Sequence, residues 1–369
     1  MIVGVPKEIK IKEHRVAVVP GGVKQLVEHG HEIYIEKNAG LGAGISDEMY
    51  ELAGARIKDS AEEVWQLSDM IMKVKEPLEQ EYSLMKSGQI LYTYLHLAAL
   101  PNLCNALLEK EISAIAYETI QSSDGFLPLL KPMSEVAGRM SVQVGVRCLE
   151  KQYGGKGLLL GGVPGVRRGK VGIIGGGYVG VNAAKMAIGL GALVTILDVN
   201  QARLSYLDDV FGTRVTTLMS NPENIAKVVE ESDLMIGAVL LPGAKAPVLV
   251  SREMVKTMEV GSAIVDVAID QGGIVETIRP TTHDNPCYVD ESVIHYGVTN
   301  MPGSVPTTST YALTNVTLPY ALELAQKGLK NALHDSLELC RGLNTHKGSV
   351  THNTVAQALG LKYKAFANS

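Results

Sequence analysis

Gly175, Gly177 and Gly180 stand in G-x-G-x-x-G spacing between a short apolar run, Val171 to Ile174, and a longer apolar stretch, Val179 to Leu190. That spacing alone is a weak signal in a chain with 38 glycines, but strand-turn-helix context turns it into a dinucleotide fingerprint. Gly175 permits the tight turn, Gly177 lets backbone N–H groups approach a pyrophosphate, and Gly180 lets the new helix lie close on the strand. Asp198 ends the next apolar run, Leu193 to Leu197, 18 residues past Gly180, where a carboxylate accepts hydrogen bonds from ribose hydroxyls. The pattern predicts NAD rather than NADP, because the charge of Asp198 repels a 2′-phosphate. Arg203, close by in sequence, softens that discrimination.

A second set of residues suits a small anionic substrate. Lys75 and His96 each close a predicted strand, Asp69 to Lys75 and Gln89 to His96, and Arg15 follows the first strand by a loop. A guanidinium grips a carboxylate bidentately, an ammonium polarises a carbonyl, and an imidazole moves protons near neutral pH. Taken singly, each has a plainer reading, as a solvated surface cation or a satisfied core histidine. Asp270, at the end of Ala263 to Asp270 and before Gln271-Gly-Gly273, is placed to face a nicotinamide, and Asp266, inside the strand, is the less attractive of the two. Asn300 and Met301, after the last strand of this series, are placed to cover the nicotinamide, or else serve the turn and the core. His283-Asp284, His346 and His352 lack a third ligand at a persuasive spacing, so no catalytic metal is expected.

The elements that must position these residues form two alternating series. Runs at Ile2 to Val5, Glu32 to Glu36, Asp69 to Lys75, Gln89 to His96 and Ile112 to Glu118 read as strands. Helical periods fill Gly21 to His29, Asp47 to Ala53, Ala61 to Leu67 and Pro101 to Lys110. A long helical stretch from Lys131 to Tyr153 then leads to six further strands, near 171–174, 193–197, 214–218, 234–238, 263–267 and 293–298. The expectation is an α/β protein of two Rossmann-like, doubly wound lobes joined by long helices. A substrate domain of residues 1–130 and 306–369 carries an inserted NAD-binding domain of residues 131–305. Closure about the helices beginning near Lys131 and Thr307 is expected to exclude water from the site.

At 369 residues, with 46% hydrophobic and 20% charged residues, the chain has the make-up of a globular protein of two ordinary domains. A net charge of −5 without a long basic run argues against nucleic acid or an anionic membrane as the partner and favours small molecules. The opening residues enter a strand pattern directly and no apolar run spans a bilayer, which predicts a cytoplasmic location. Cys104, Cys148, Cys287 and Cys340 are scattered without a C-x-x-C pair, so they read as packing residues rather than disulfides or zinc ligands.

Several segments are more particular than any fingerprint: Met1 to Lys10 with Arg15, Lys73-Val-Lys-Glu-Pro77, Thr93-Tyr-Leu-His-Leu97, Ala116-Tyr-Glu118, Pro132 to Arg139, Gly161-Gly-Val-Pro-Gly165, Val265 to Gly273, Asn300-Met-Pro-Gly303 and Val305 to Thr310. Together they resemble bacterial L-alanine dehydrogenases over essentially the whole chain. The related transhydrogenase α subunits share part of the pattern.

The resemblance implies reversible oxidative deamination of L-alanine to pyruvate and ammonium with NAD as hydride acceptor. It implies that Arg15 and Lys75 bind the substrate carboxylate and carbonyl, that His96 is the acid/base residue and that Asp270 assists beside the nicotinamide. Tyr94 and Glu118 would support them. Ser134, Gly175, Gly177, Tyr178, Val179, Gly180, Asp198, Arg203, Ser220, Asn300 and Met301 fall at cofactor positions, and the assembly is expected to be a homo-oligomer, a hexamer. The competing readings are a dehydrogenase of another small amino or 2-oxo acid, such as a saccharopine or lysine oxidoreductase relative, and a transhydrogenase-like NAD(H)-binding protein without turnover.

Overall fold

The computed structural model describes residues 1–239 and 246–366. The chain divides into two compact units, Met1–Met133 with Val305–Ser369, and Ser134–Ser304.

The first unit is built on strands β1 (Ile2–Val5), β2 (Glu32–Glu36), β3 (Arg56–Lys58), β4 (Met70–Met72), β5 (Ile90–Thr93) and β6 (Ser113–Ala116). The second holds β7 (Lys170–Ile174), β8 (Leu193–Asp198), β9 (Val215–Met219), β10 (Leu234–Gly237), β11 (Ala263–Asp266), β12 (Cys287–Asp290) and β13 (Val293–Tyr296), and the first unit ends with β14 (Leu343–His346) and β15 (Ser349–Val350). The first sheet has the order β15-β14-β6-β5-β4-β1-β2-β3, in which β1 to β6 run parallel and β14 and β15 antiparallel. The second has the order β12-β13-β11-β10-β7-β8-β9, parallel except for β12.

The strand order reverses beside the first strand of each unit, β1 lying between β2 and β4 and β7 between β8 and β10. Such a switch point leaves a crevice beyond the carboxyl ends of the strands, because consecutive connections depart in opposite directions. The central strands are apolar on both faces, as a sheet covered by helices requires: β4, β5 and β10 are buried at every position.

The helices begin where side chains can satisfy their first N–H groups. Ser60 accepts from Glu63 N ahead of Ala61–Leu67, Asn200 from Arg203 N ahead of Gln201–Phe211, and Asn221 from Asn224 N ahead of Pro222–Glu231. The helix Pro306–Asp335 is interrupted at Gly328, whose φ of 70° and ψ of 161° lie outside the helical range.

The structure departs from the sequence expectations at several ends. Strand β4 stops at Met72 and β5 at Thr93, so Lys75 and His96 sit three residues beyond, in the loops. Strand β11 ends at Asp266, and Asp270 lies in a 3-10 turn, Val267–Gln271, rather than on the strand. The Lys131 segment is α-helical only to Leu149. Strands β3, β12, β14 and β15 were not anticipated; all are short, and β3, β12 and β15 are sheet edges. Among the described residues, no helix is long and apolar enough to cross a membrane.

One ion-pair cluster ties the amino ends of the second sheet. Asp233, just before β10, accepts from both Nη atoms of Arg167 at 2.7 and 2.9 Å and from Lys170 N at 2.7 Å, and it pairs with Lys156 Nζ. Burial alone would raise the Asp233 carboxyl, but these donors override it and hold it at about 2, below its ordinary 3.8. A depressed carboxylate gives stability that is complete above its unfolded pKa and fades as pH falls through the folded one, a contribution of about 2 kcal/mol here. Urea unfolding of the second unit should therefore lose stability between about pH 4 and pH 2, and Asp233→Asn should be less stable near pH 7 while showing a flatter acid dependence. An unchanged slope in the variant would assign the acid sensitivity to other groups.

Candidate functional site

Arg15, Lys75 and His96 follow β1, β4 and β5, three neighbouring strands, so their loops leave the same edge of the first sheet at its switch point. Arg15 is buried, with 2% of its surface exposed. Its Nε and Nη2 atoms donate to the two carboxylate oxygens of Glu13 at 2.6 and 2.5 Å, and Nη1 meets Met133 Sδ at 3.1 Å. One edge of the guanidinium is thus already occupied by an acid of the chain. Burial would raise the Glu13 carboxyl, but the Arg15 hydrogen bonds and charge hold it at about 2. Lys75 is half-buried, and burial followed by the nearby Arg15 charge pushes its ammonium below the ordinary 10.5.

Lys75 is placed by a network that its own sequence neighbourhood does not reveal. Lys73 is fully buried and its ammonium lies 3.2 Å from Glu8 Oε2 and 2.9 Å from Glu81 Oε1. Burial opposes that charge, yet the two carboxylates outweigh it and raise the Lys73 pKa. The other oxygen of Glu8 accepts from Val74 N at 2.6 Å and Lys75 N at 3.3 Å. Glu8, from the loop after β1, therefore fixes the backbone of the loop after β4.

His96 is exposed and adopts a left-handed conformation, with φ of 51° and ψ of 35°. That backbone is disfavoured for a side chain and costs on the order of 1 kcal/mol unless it is held. Glu118 holds it: one oxygen accepts from His96 N at 2.6 Å, both accept from Leu95 N at 3.2 Å, and Oε1 is 3.9 Å from His96 Nδ1. The imidazole also stacks on Tyr94, with ring centroids 6.0 Å apart and planes within 4°, and Tyr94 is anchored through its hydroxyl to Leu129 O at 2.7 Å.

In the second unit, a cavity of about 640 Å³ opens at the switch point between β7 and β10. Ser134, Gly175, Gly177, Tyr178, Val179, Asp198 and Ser220 are among its lining residues. Gly175 has a φ of +105°, and a Cβ there would stand 2.6 Å from Ala238 O. A Cβ on Gly177 would meet nothing within 4 Å, so the backbone at this point borders open space. At Gly180 a Cβ would fall 1.9 Å from Gly175 O, which only the absence of a side chain avoids. The start of the helix Tyr178–Gly189 thus brings backbone N–H groups to the cavity with no side chain at Gly177 in the way, the arrangement that a pyrophosphate requires. The volume and the terminal carboxylate of Asp198 also fit an adenine dinucleotide.

Asp198 is tied to the turn it faces, since Oδ2 accepts from Gly176 N at 2.7 Å and Oδ1 from Asn200 N at 2.9 Å. Arg203 donates from Nε to Gly176 O at 2.5 Å and lies behind the lining rather than in it. Asn300 and Met301 also lie outside this cavity's lining. Asn300, with a φ of 59°, donates its backbone N–H to Asp270 Oδ1 at 3.3 Å, while Met301 is buried. Asp270 is exposed, whereas Asp266 is buried and accepts from Ala268, Ile274 and Val275 N–H groups. Burial raises the Asp266 carboxyl to about 6. Among the described residues, no group of three or more His, Cys, Asp or Glu side chains is placed to hold a metal ion.

Glu8, Glu13, Lys73 and Glu81 were not singled out by sequence reasoning. The available signal was a lysine within the apolar run Met70 to Val74, a position that demands buried carboxylates.

Comparison with known proteins places the whole chain. Residues 4–137 match the model of the alanine dehydrogenase/PNT N-terminal domain and residues 141–353 that of the alanine dehydrogenase/PNT C-terminal domain. The chain is 63% identical to the alanine dehydrogenase of Methanococcus maripaludis, over 98% of each chain. It is 61% identical to that of Bacillus subtilis, over 98% of this chain and 96% of the relative. A solved L-alanine dehydrogenase superimposes with a TM-score of 0.96 at 54% identity, covering 98% of this chain and 99% of that one. A transhydrogenase from Sinorhizobium meliloti does so with 0.83 at 25% identity, covering 96% and 99%.

Two substitutions test the geometry of the two units separately. Gly180→Ala should weaken NADH binding more than tenfold in calorimetry, because the helix must move off the strand; retained affinity would contradict the close approach. Glu8→Gln leaves Lys73 with one carboxylate and should lower stability by about 3 kcal/mol. An unchanged denaturation midpoint would show that the buried pair does not brace the loops.

Proposed function

Because the chain belongs to the alanine dehydrogenase/PNT family, we propose that it catalyses the reversible oxidative deamination of L-alanine, in which alanine, NAD⁺ and water give pyruvate, ammonium, NADH and a proton. The observation that carries the reading is identity of about 60% with alanine dehydrogenases over nearly the full length. The roles of individual residues belong to the same proposal. They are supported by the gathering of Arg15, Lys75 and His96 at one sheet edge and by the dinucleotide-sized cavity lined by Gly175, Gly177, Tyr178, Val179, Asp198 and Ser220.

Arg15 anchors the substrate carboxylate. Glu13 already grips the Nε–Nη2 edge of its guanidinium, so the substrate meets the Nη1–Nη2 edge, where it takes the place of the Met133 sulfur contact. Oriented by that anchor, the amine must be neutral before Cα can release hydride, and His96 accepts its proton. NAD, when bound, supplies the hydride acceptor. Loss of hydride leaves an iminium acid, which water attacks at Cα while its proton passes to Asp270, or to His96 once His96 has released the amine proton to solvent. The protonated base returns its proton to the carbinolamine nitrogen, and ammonia leaves as the hydroxyl gives its proton back to that base and becomes the ketone of pyruvate. Lys75 stabilises the charge that builds on that oxygen, and its depressed pKa eases the transient lending of a proton.

The remaining cofactor positions support the dinucleotide-sized cavity, with Ser134 in its lining and the others around it. Gly180 allows the helix to approach, Arg203 steadies the fingerprint turn, and Ser134, Asn300 and Met301 complete the family-like set around the dinucleotide. A cytoplasmic location and a hexameric assembly are part of the proposal, the assembly to be checked by light scattering of the purified chain and the location by cell fractionation.

Purified protein mixed with NAD and a panel of L-amino acids at alkaline pH should form NADH, seen by absorbance, fastest with L-alanine. His96→Ala should reduce turnover about 10³-fold while leaving NADH affinity intact. Tight NADH binding without turnover on any amino acid would favour the transhydrogenase-like reading, and a preference for a larger amino acid would sink the alanine assignment.

A further inference from the structure

Two cysteines far apart in sequence meet in the second unit. Cys148 lies in the last turn of the helix Lys131–Leu149 and Cys287 opens β12, and their sulfurs are 3.5 Å apart. Both are free thiols. A disulfide has an S–S length of about 2.05 Å, so the sulfurs need to close by roughly 1.5 Å, a movement within reach of small side-chain rotations. Strand β12 sits at the edge of its sheet, paired on one side with β13 among the described residues, which leaves Cys287 on the less constrained border of the sheet.

The two thiols are not equivalent. Cys148 is buried and Cys287 half-buried. The hydrogen bond with Cys148 and then the Arg147 guanidinium, against the opposing effect of burial, draw the Cys287 thiol below its ordinary pKa; the same sulfur contact, together with burial, pushes Cys148 upward. Cys287 is therefore the accessible sulfur that favours the thiolate, and Cys148 the partner waiting behind it.

We propose that Cys148 and Cys287 form a reversible intrachain disulfide when the protein meets a low-molecular-weight disulfide, making this pair a redox modification site of the second unit. The Cys287 thiolate attacks one sulfur of the reagent, forming a mixed disulfide and expelling one thiolate. Cys148 then loses its proton and attacks Cys287 Sγ, forming the Cys148–Cys287 bond and expelling the second thiolate. The chain gives up two electrons and two protons, and the reagent becomes two thiols. The bond pins the end of the Lys131–Leu149 helix to an edge strand and closes a long loop in the unfolded chain, so the oxidised form unfolds at a higher temperature.

The test uses the full chain with oxidised glutathione as the probe, followed by thiol titration under denaturing conditions. The four thiols of the reduced chain should fall to two, with a mass loss equal to two hydrogens and a cross-linked peptide pair containing Cys148 and Cys287. The melting temperature should rise on oxidation and return with dithiothreitol. Cys148→Ser should stop at a glutathione adduct on Cys287, and Cys287→Ser should form no intrachain cross-link. Four thiols surviving oxidation, a glutathione adduct persisting on Cys287 of the unsubstituted chain, a cross-link mapped to other cysteines, or its persistence in Cys148→Ser would each overturn the proposal.

Discussion

An ammonium group with no solvent exposure stays charged only if carboxylates stand beside it, and Lys73 imposes that demand on the first unit. Glu8 comes from the loop after β1 and Glu81 from beyond the loop after β4, and both must fold inward to meet it. Having done so, Glu8 has one oxygen left, and that oxygen takes the N–H groups of Val74 and Lys75. The position of Lys75 thus follows from the neutralisation of a different lysine two residues away. Arg15 and Glu13 repeat the device on the neighbouring loop, so the cationic character of this edge is the residue left after several charges have been matched.

The second unit solves its problem with backbone rather than charge. Its fingerprint turn works because Gly175 takes a left-handed conformation and Gly180 tolerates the carbonyl of Gly175 at a distance no side chain survives. Asp198 and Arg203 then clamp the intervening Gly176 from its N–H and its carbonyl. The loops of the first unit are held by buried ionic contacts and the turn of the second by steric permission, which is why one is braced by long side chains and the other by their absence.

The legible parts of the chain were those whose pattern is local. Strands β1, β2, β7 and β8 are runs of β-branched and apolar residues bounded by turns, and their periodicity survives in isolation. The fingerprint was readable because its glycines, strand and acid all lie within about thirty residues. Strands β3, β12, β14 and β15 escaped because they are only two to four residues long, too short for a period to show, and β14 in addition finds its partner β6 across more than two hundred residues. The strand ends were overextended for a related cause: the apolar pattern continues through Val74, Leu95 and Ile269, which pack in the interior from loops and a 3-10 turn. The Glu8–Lys73 contact spans 65 positions and the Cys148–Cys287 contact 139, and no spacing rule connects them.

The double duty of Asp198 has a bearing on how cofactor choice can change over time. The carboxylate that would discourage a 2′-phosphate also receives Gly176 N–H and Asn200 N–H. Replacing it with a neutral or basic side chain would remove a repulsion and, in the same stroke, orphan two backbone donors in the tightest part of the chain. A lineage drifting toward the phosphorylated dinucleotide must therefore acquire a substitute acceptor before or together with the exchange, and intermediates lacking it would be selected against for their folding rather than for their chemistry.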